Sequence, residues 1–237
     1  MTSQGKPDPA KASSHAPARN RNGSERLATR DVPAPSEPPP TERGRRTREQ
    51  LIGAARQVFE EQGYLNARIT DIAARAGVAH GTFYTYFDTK EAVLRAVMDA
   101  VNASLYESAI VATDVPDPIA RLEQSLRQYV RAWSQHAAIM GIILQVSMIN
   151  PDVRRHRQES ADGKFRGRIE RGIRRMQEAG LADPAINTQY MASALGVMIS
   201  GLCFELLALG GPYDEDELVA TLTTIWKRSI GLTGSRS

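Results

Sequence analysis

The sequence predicts an all-α protein, and three observations carry that prediction. Capping residues suited to helix starts recur along the chain, glycines stand where those helices would stop, and apolar residues repeat at helical spacing. No stretch shows the period-two alternation of a half-buried strand. About nine helices fit into the 237 residues: three short ones within residues 47–87, then longer and more apolar ones.

Residues 1–46 hold eight of the 13 prolines, are rich in Ser, Ala and Arg, and lack apolar periodicity, which predicts a disordered basic tail. Its last part and the residues just after it, Arg43, Arg45, Arg46 and Arg48, carry the charge to lie along phosphates. Thr47 with Gln50 reads as the capping box of the first helix, which places Leu51, Ala55, Val58 and Phe59 on one face and stops at Gly63. A second short helix turns Ile69, Ile72 and Ala73 inward and ends at Ala76-Gly77-Val78, where Gly77 supplies the positive φ of a sharp turn. A third begins near Ala79 or His80. Asp88 with Glu91 opens a fourth helix, in which Val93, Val97, Val101 and Leu105 step by four. Asp117-Pro118, Asn150-Pro151 and Asp183-Pro184 each set a capping side chain before a proline at the first helical position, and each predicts a long helix. Asp214 with Glu217 opens the last helix, and Gly180, Gly210 and Gly231 mark stops. The divisions that follow are a tail (1–46), a small helical unit (47–92), a larger one (93–231) and a flexible C-terminus (232–237).

A hydrophobic content of 41% is ordinary for a globular protein with a proper core. No uninterrupted apolar run reaches the roughly 20 residues of a membrane span, and the N-terminus lacks a signal-peptide core, so a cytoplasmic protein without membrane contact is expected. Cys203 is the single cysteine, and His15, His80, His136 and His156 are scattered without ligand spacing, which predicts neither disulfide, metal nor cofactor. The net charge of +3 is compatible with nucleic acid but too mild to establish it. A catalytic constellation is not legible. Cys203 lies in an apolar run with no histidine near it, a Gly-rich phosphate loop is missing, and the acidic residues from Asp214 to Glu217 are explained by a helix start, so the chain is not expected to be an enzyme.

Function concentrates in Ile69 to Glu91, where a short bracing helix, a glycine turn and a second short helix follow one another. Such a pair commonly places its second helix in the DNA major groove. The run Ile72-Ala73, Ala76-Gly77-Val78, Gly81-Thr82-Phe83-Tyr84, Tyr86-Phe87 and Lys90-Glu91, with the Gly63-Tyr64 break before it, resembles the signature of the TetR family of one-component regulators over residues 47–95. The resemblance implies a helix-turn-helix DNA-binding domain, a C-terminal ligand-binding and dimerisation domain, and a homodimer on a palindromic double-stranded operator. Repression released by a small-molecule effector is the family's commoner habit, and an activating or effector-independent regulator would use the same helix-turn-helix.

Carried over residue by residue, the resemblance puts His80, Gly81, Thr82 and Tyr84 in the recognition helix, with His80 and Thr82 at base edges and Gly81 permitting close approach. It makes Tyr84, Tyr86 and Lys90 phosphate contacts, and adds Thr70 to the interface together with Arg45, Arg46 and Arg48. Phe83 and Phe87 read as core. The chain departs from the pattern at Arg68 and Ala79, where capping hydroxyls are usual; Asn66 is a substitute cap for the second helix, and Arg68 is free to face phosphate. In the larger unit, Trp133, Met140, Leu144, Met148, Phe165, Met176, Met191, Leu195, Met198 and Phe204 are the candidate lining of a mainly apolar effector pocket, with Arg131 or Arg166 available to an acidic group. The last two helices are the expected homodimer surface, through Ala192, Ala194, Gly196, Ser200 and Gly201 on one and Leu218, Leu222, Ile225 and Trp226 on the other.

Overall fold

A computed structural model describes residues 41–109, 117–161 and 165–232. Most of the predicted tail, the C-terminal residues 233–237 and the connections at 110–116 and 162–164 lie outside the described residues. Ten α-helices and no strand occur among them.

The first helix, α1 (Glu42–Asn66), starts five residues before Thr47. Thr41 caps it by accepting the Gly44 amide at 3.1 Å, whereas Thr47 lies inside the helix and donates to the Arg43 carbonyl. The earlier start is reinforced by ion pairs of Arg45 with Glu42 and Glu49 and of Arg46 with Glu42, spaced three and four residues apart on one helical face. Residues 42–46 are therefore helix rather than tail. Gly63 breaks the regular helix with φ of 73°.

Helix α2 (Ile69–Arg75) ends in a glycine motif in which the Val78 amide reaches back to the Ala73 carbonyl and Gly77 adopts φ of 69°. Asn66 does not cap α2, because its side chain donates to the Gln62 carbonyl. Helix α3 (His80–Phe83) is a single turn, and neither Arg68 nor Ala79 makes a side-chain cap. Helix α4 (Lys90–Ser108) is capped by Thr89, not Asp88, through a bond from the Ala92 amide. The predicted boundary at 92/93 thus falls inside a helix. One hydrophobic core runs from Leu51 through Phe83, Phe87 and Leu94 to Leu222 and Leu232, and α4 belongs to both halves of it.

Asp117 caps α5 (Pro118–Gln135), which meets α6 (Ala137–Ile149) at 79° across His136. Asn150 caps α7 (Pro151–Ala161). Helix α8 (Gly167–Glu178) closes on Gly180. Asp183-Pro184 opens no helix. The Asp183 carboxylate accepts the Ala185 amide in a tight turn, and Asn187 caps α9 (Thr188–Cys203) instead. A π-turn (Phe204–Ala208) extends α9, and Asp214 caps α10 (Glu215–Ser229). Leu232 is buried and its amide bonds the Lys227 carbonyl, so it belongs to the fold rather than to a flexible end.

Two packing facts position the functional surfaces. Leu218, Leu222 and Trp226 are buried and α10 packs on α5, so the apolar face of α10 is consumed within the chain rather than offered to a partner. The continuous segment Thr188–Ala208 is long and apolar enough to cross a membrane by length and composition, with a mean hydropathy of 1.8 over an 18-residue stretch of which only 28% is buried. Its outward stripe is Tyr190, Ala194, Val197 and Gly201, while Ala192 and Gly196 face inward.

Candidate nucleic-acid interface

The helix-turn-helix is held by a small aromatic and aliphatic core. Leu51, Val58, Phe59, Ile72, Phe83 and Leu94 are fully buried, with Phe87 nearly so, which leaves the outer face of α3 free to carry other chemistry. Arg75 clamps α2 to α1 through a two-pronged ion pair with Glu61 at 2.6 and 2.7 Å.

On that outer face His80 and Gly81 are exposed, Thr82 is half-buried, and Tyr84 is 48% exposed. The Tyr84 ring makes edge contacts with His80 and Phe83, at centroid distances of 5.3 and 5.5 Å, which fix its orientation. A Cβ built on Gly81 meets nothing within 4 Å. Beside α3 lies a hollow of about 350 Å³ lined by Thr41, Arg43, Gly44, Thr47, Val78, Ala79, Thr82 and Tyr86. It joins the N-terminal end of α1 to the start of α3, and so brings Arg43, Thr82 and Tyr86 to one surface.

The remaining candidates divide by what they touch. Arg45 and Arg46 are exposed and ion-paired along α1, close in sequence to the hollow. Exposed pairs of this kind are weak, so an incoming phosphate can compete for either guanidinium. Arg48 is half-buried over the Phe87 ring at 5.2 Å, which makes it a packing residue as much as a surface charge. Thr70 is exposed and bonds Asp71. Lys90 departs most from its expected role. Its ammonium donates to the carbonyls of Tyr64 at 2.7 Å, Leu65 at 3.4 Å and Ala67 at 2.9 Å, and lies 4.5 Å from the centre of the Tyr64 ring. All three N–H groups are thus spent on the end of α1. Beside it the Tyr64 hydroxyl donates to Glu91 at 2.6 Å. Burial alone would raise the Glu91 pKa, but the bonds from Tyr64, its own backbone amide and Thr89, with the charge of Lys90, outweigh it and hold the carboxyl below the usual range. The Tyr64 phenol is pushed up, by burial first and by Glu91 second.

Sequence reasoning missed this Lys90–Tyr64–Glu91 cluster and the contacts that tie the helix-turn-helix to the larger unit. Arg56 on α1 donates to the Gln135 carbonyl at 3.1 Å, and next to it His136 bonds Ser104 of α4 at 3.1 Å. The His136 pKa is lowered by burial, then by the charge of Arg56, against an opposing effect of Glu60. At the far end of α4, Arg168 of α8 donates to the Tyr106 and Ala109 carbonyls. These pairings carry no local sequence signal because they join residues far apart in the chain.

Among the candidate pocket residues, Trp133 and Leu195 are buried, and Met140, Leu144, Phe165, Met176, Met191, Met198 and Phe204 are partly buried. Met148 is 80% exposed at the end of α6 and is not part of an interior lining. Arg131 pairs with Glu215 at 2.7 Å and is already engaged. Tyr129 and Phe165 stack at 4.7 Å inside the larger unit. Cys203 is fully buried, and burial pushes its thiol up to about 12, which leaves it a neutral packing group.

Two family models match the chain. Residues 51–97 match bacterial regulatory proteins of the tetR family, and residues 122–231 match the C-terminal domain of the transcriptional regulator EthR. The HTH-type transcriptional regulator EthR of Mycolicibacterium smegmatis is 26% identical over 184 residues, covering 76% of this chain and 84% of that protein. The HTH-type transcriptional repressor NicS of Pseudomonas putida is 26% identical over 162 residues, 67% of this chain and 74% of its own. A solved TetR-family regulator from Rhodococcus sp. superimposes with a TM-score of 0.68 at 16% identity, over 78% of this chain and 98% of the other.

Proposed function

The chain belongs to the TetR family of DNA-binding transcriptional regulators, and from that premise we propose that it is a repressor that holds an inverted-repeat operator as a homodimer and leaves it when a small, mainly apolar effector enters the C-terminal domain. The observation that carries this reading is the outer face of α3. His80, Gly81, Thr82 and Tyr84 present imidazole, bare backbone, hydroxyl and phenol on a unit whose core residues Leu51, Val58, Phe59, Ile72 and Phe83 are buried. Thr82 and His80 read bases; Tyr84, Tyr86 and Thr70 bond phosphate oxygens; Arg43, Arg45, Arg46 and Arg48 add charge from the start of α1. Lys90 acts by holding α1 against α4. The protein works in the cytoplasm, on the nucleoid.

Dimerisation supports the same reading. The stripe Tyr190, Ala194, Val197 and Gly201 leaves one face of the long apolar segment Thr188–Ala208 uncovered, with Tyr190 75% and Val197 61% exposed. Small residues there permit close helix approach, and the two-fold axis spaces two α3 helices for half-sites about 34 Å apart. Helix α9 and the outward face of α10 are the dimer surface in this reading.

The test is selection of random double-stranded DNA by the purified protein, repeated with Tyr84→Phe and Thr82→Ala. One inverted repeat is expected, weakened uniformly by the first change and relaxed at defined bases by the second. Failure to enrich any sequence at moderate salt would overturn the proposal.

A further inference from the structure

His136 forms the corner between α5 and α6, and its half-buried ring is engaged on one side only. Nε2 meets the Ser104 hydroxyl of α4 at 3.1 Å, whereas Nδ1 is buried and has no hydrogen-bond partner among the described residues. A neutral imidazole fits these surroundings with its hydrogen on Nε2, donated to Ser104, and a bare lone pair at Nδ1. A second proton would turn Nδ1 into a buried N–H without an acceptor. The charged groups that act on the ring come from α1: Arg56 opposes the proton, and Glu60, which favours it, is already paired with Arg56 at 2.9 Å. From α4 the ring meets the neutral Ser104, and His156 of α7 is paired at 2.8 Å with Asp99, five residues before Ser104 on α4. The same corner fastens the DNA-binding unit to the larger one. Arg56 donates to the carbonyl of Gln135, the residue before His136, at 3.1 Å, and α1 packs on α6. Helix α1 also carries Arg43, Gly44 and Thr47 into the hollow beside α3. A proton on His136 therefore sets two like charges, imidazolium and guanidinium, at a contact that ties α1 to the larger unit.

We infer that the α5–α6 corner is a proton-sensitive joint: the arrangement that holds the operator keeps His136 neutral, and mild acid loosens α1 from the corner and weakens operator binding. The inference rests on the reading of the chain as an operator-binding dimer and adds the proton as a regulator of that binding. The proton acts through its differential affinity for two arrangements. With Arg56 bonded to the Gln135 carbonyl the second proton is disfavoured; with Arg56 released, Glu60 is free to pair with the imidazolium and the proton is held.

The test is fluorescence anisotropy of the full chain on the inverted repeat recovered by selection, at fixed ionic strength from about pH 8 down to about pH 6, with circular dichroism at each pH to establish that the protein is folded. The comparison is with His136→Gln, whose amide can still reach Ser104 but takes up no proton. The two proteins should bind alike at the alkaline end, and the wild type should lose about tenfold more affinity at the acidic end. His80 and His156 are present in both, so their own titration cancels from the comparison. Glu60→Gln removes the group that favours the proton and should move the midpoint of the wild-type fall to lower pH. A mere loss of packing does not shift that midpoint, so this variant decides the matter if His136→Gln does not fold. Parallel pH profiles for wild type and His136→Gln, a midpoint unmoved by Glu60→Gln, or a wild-type affinity that rises in acid relative to His136→Gln overturns the inference while operator binding stands. If the wild type fails to hold the duplex even at the alkaline end, the inference falls together with the operator-binding reading.

Discussion

Gly81 lies outside the left-handed region, and a side chain there would meet no neighbour in the protein. Internal packing does not call for glycine at this position, whereas a surface arriving from outside does. Gly81→Ala should therefore leave the melting temperature unchanged or raise it, since alanine is favoured in helices by up to about 1 kcal/mol, while weakening operator binding at least tenfold in fluorescence anisotropy. Lys90 makes the opposite case. Lys90→Met removes a cation bonded to three carbonyls and should cost about 2 kcal/mol in urea unfolding, with operator binding falling only as the folded fraction does. Its neighbour Glu91 has a folded pKa below the unfolded one, so its contribution is fully present above the ordinary carboxylate range and is lost as pH falls through the folded value. The stability gap between wild type and Glu91→Gln should accordingly shrink on acidification, as unfolding at successive pH values would reveal.

At the scale of helices, the α5–α6 corner is the most informative element. His136 is held below its ordinary pKa at the point where Arg56, Glu60 and Ser104 from α1 and α4 converge. A depressed folded pKa means that stability is complete above about pH 6.5, the unfolded value, and declines as pH falls through the folded one. His136→Gln should flatten that decline in thermal melts between neutral and mildly acidic pH. This corner was illegible in the sequence because neither glycine nor proline marks it, and its cause is tertiary. Helix starts were legible where one capping residue stood alone, as at Asp117, Asn150 and Asp214. They were misread where two candidates competed. Thr41 prevailed over Thr47, Thr89 over Asp88, and Asn187 over Asp183, because backbone conformation selects the cap and short-range pattern does not. The α3 face was readable for the converse reason: its residues are contiguous, and their spacing is set by one helical turn. Met148 failed as a lining residue because apolar periodicity does not tell a core from a helix end, and the apolar face of α10 failed as a dimer surface because periodicity does not name what the face packs on.

For the whole molecule, the uncovered α9 stripe yields the most direct prediction. Val197→Glu places a charge on the proposed two-fold contact without touching the monomer core, and should convert a dimer to a monomer in analytical ultracentrifugation while circular dichroism remains unchanged. Operator affinity should fall at least a hundredfold, because one half-site binds far more weakly than two held together. Within each protomer, α4 is gripped at both ends, by Lys90 against the end of α1 and by Arg168 at its last carbonyls. A helix of 19 residues is about 28 Å long, so a pivot at its Arg168 end would make α4 a lever arm of that length. A tilt of about 5° there would displace the Lys90 end by about 2.5 Å over that 28 Å. In the proposed two-fold dimer the separation of the two α3 helices would then change by up to about 5 Å, enough to bring a pair set for grooves about 34 Å apart out of step with them.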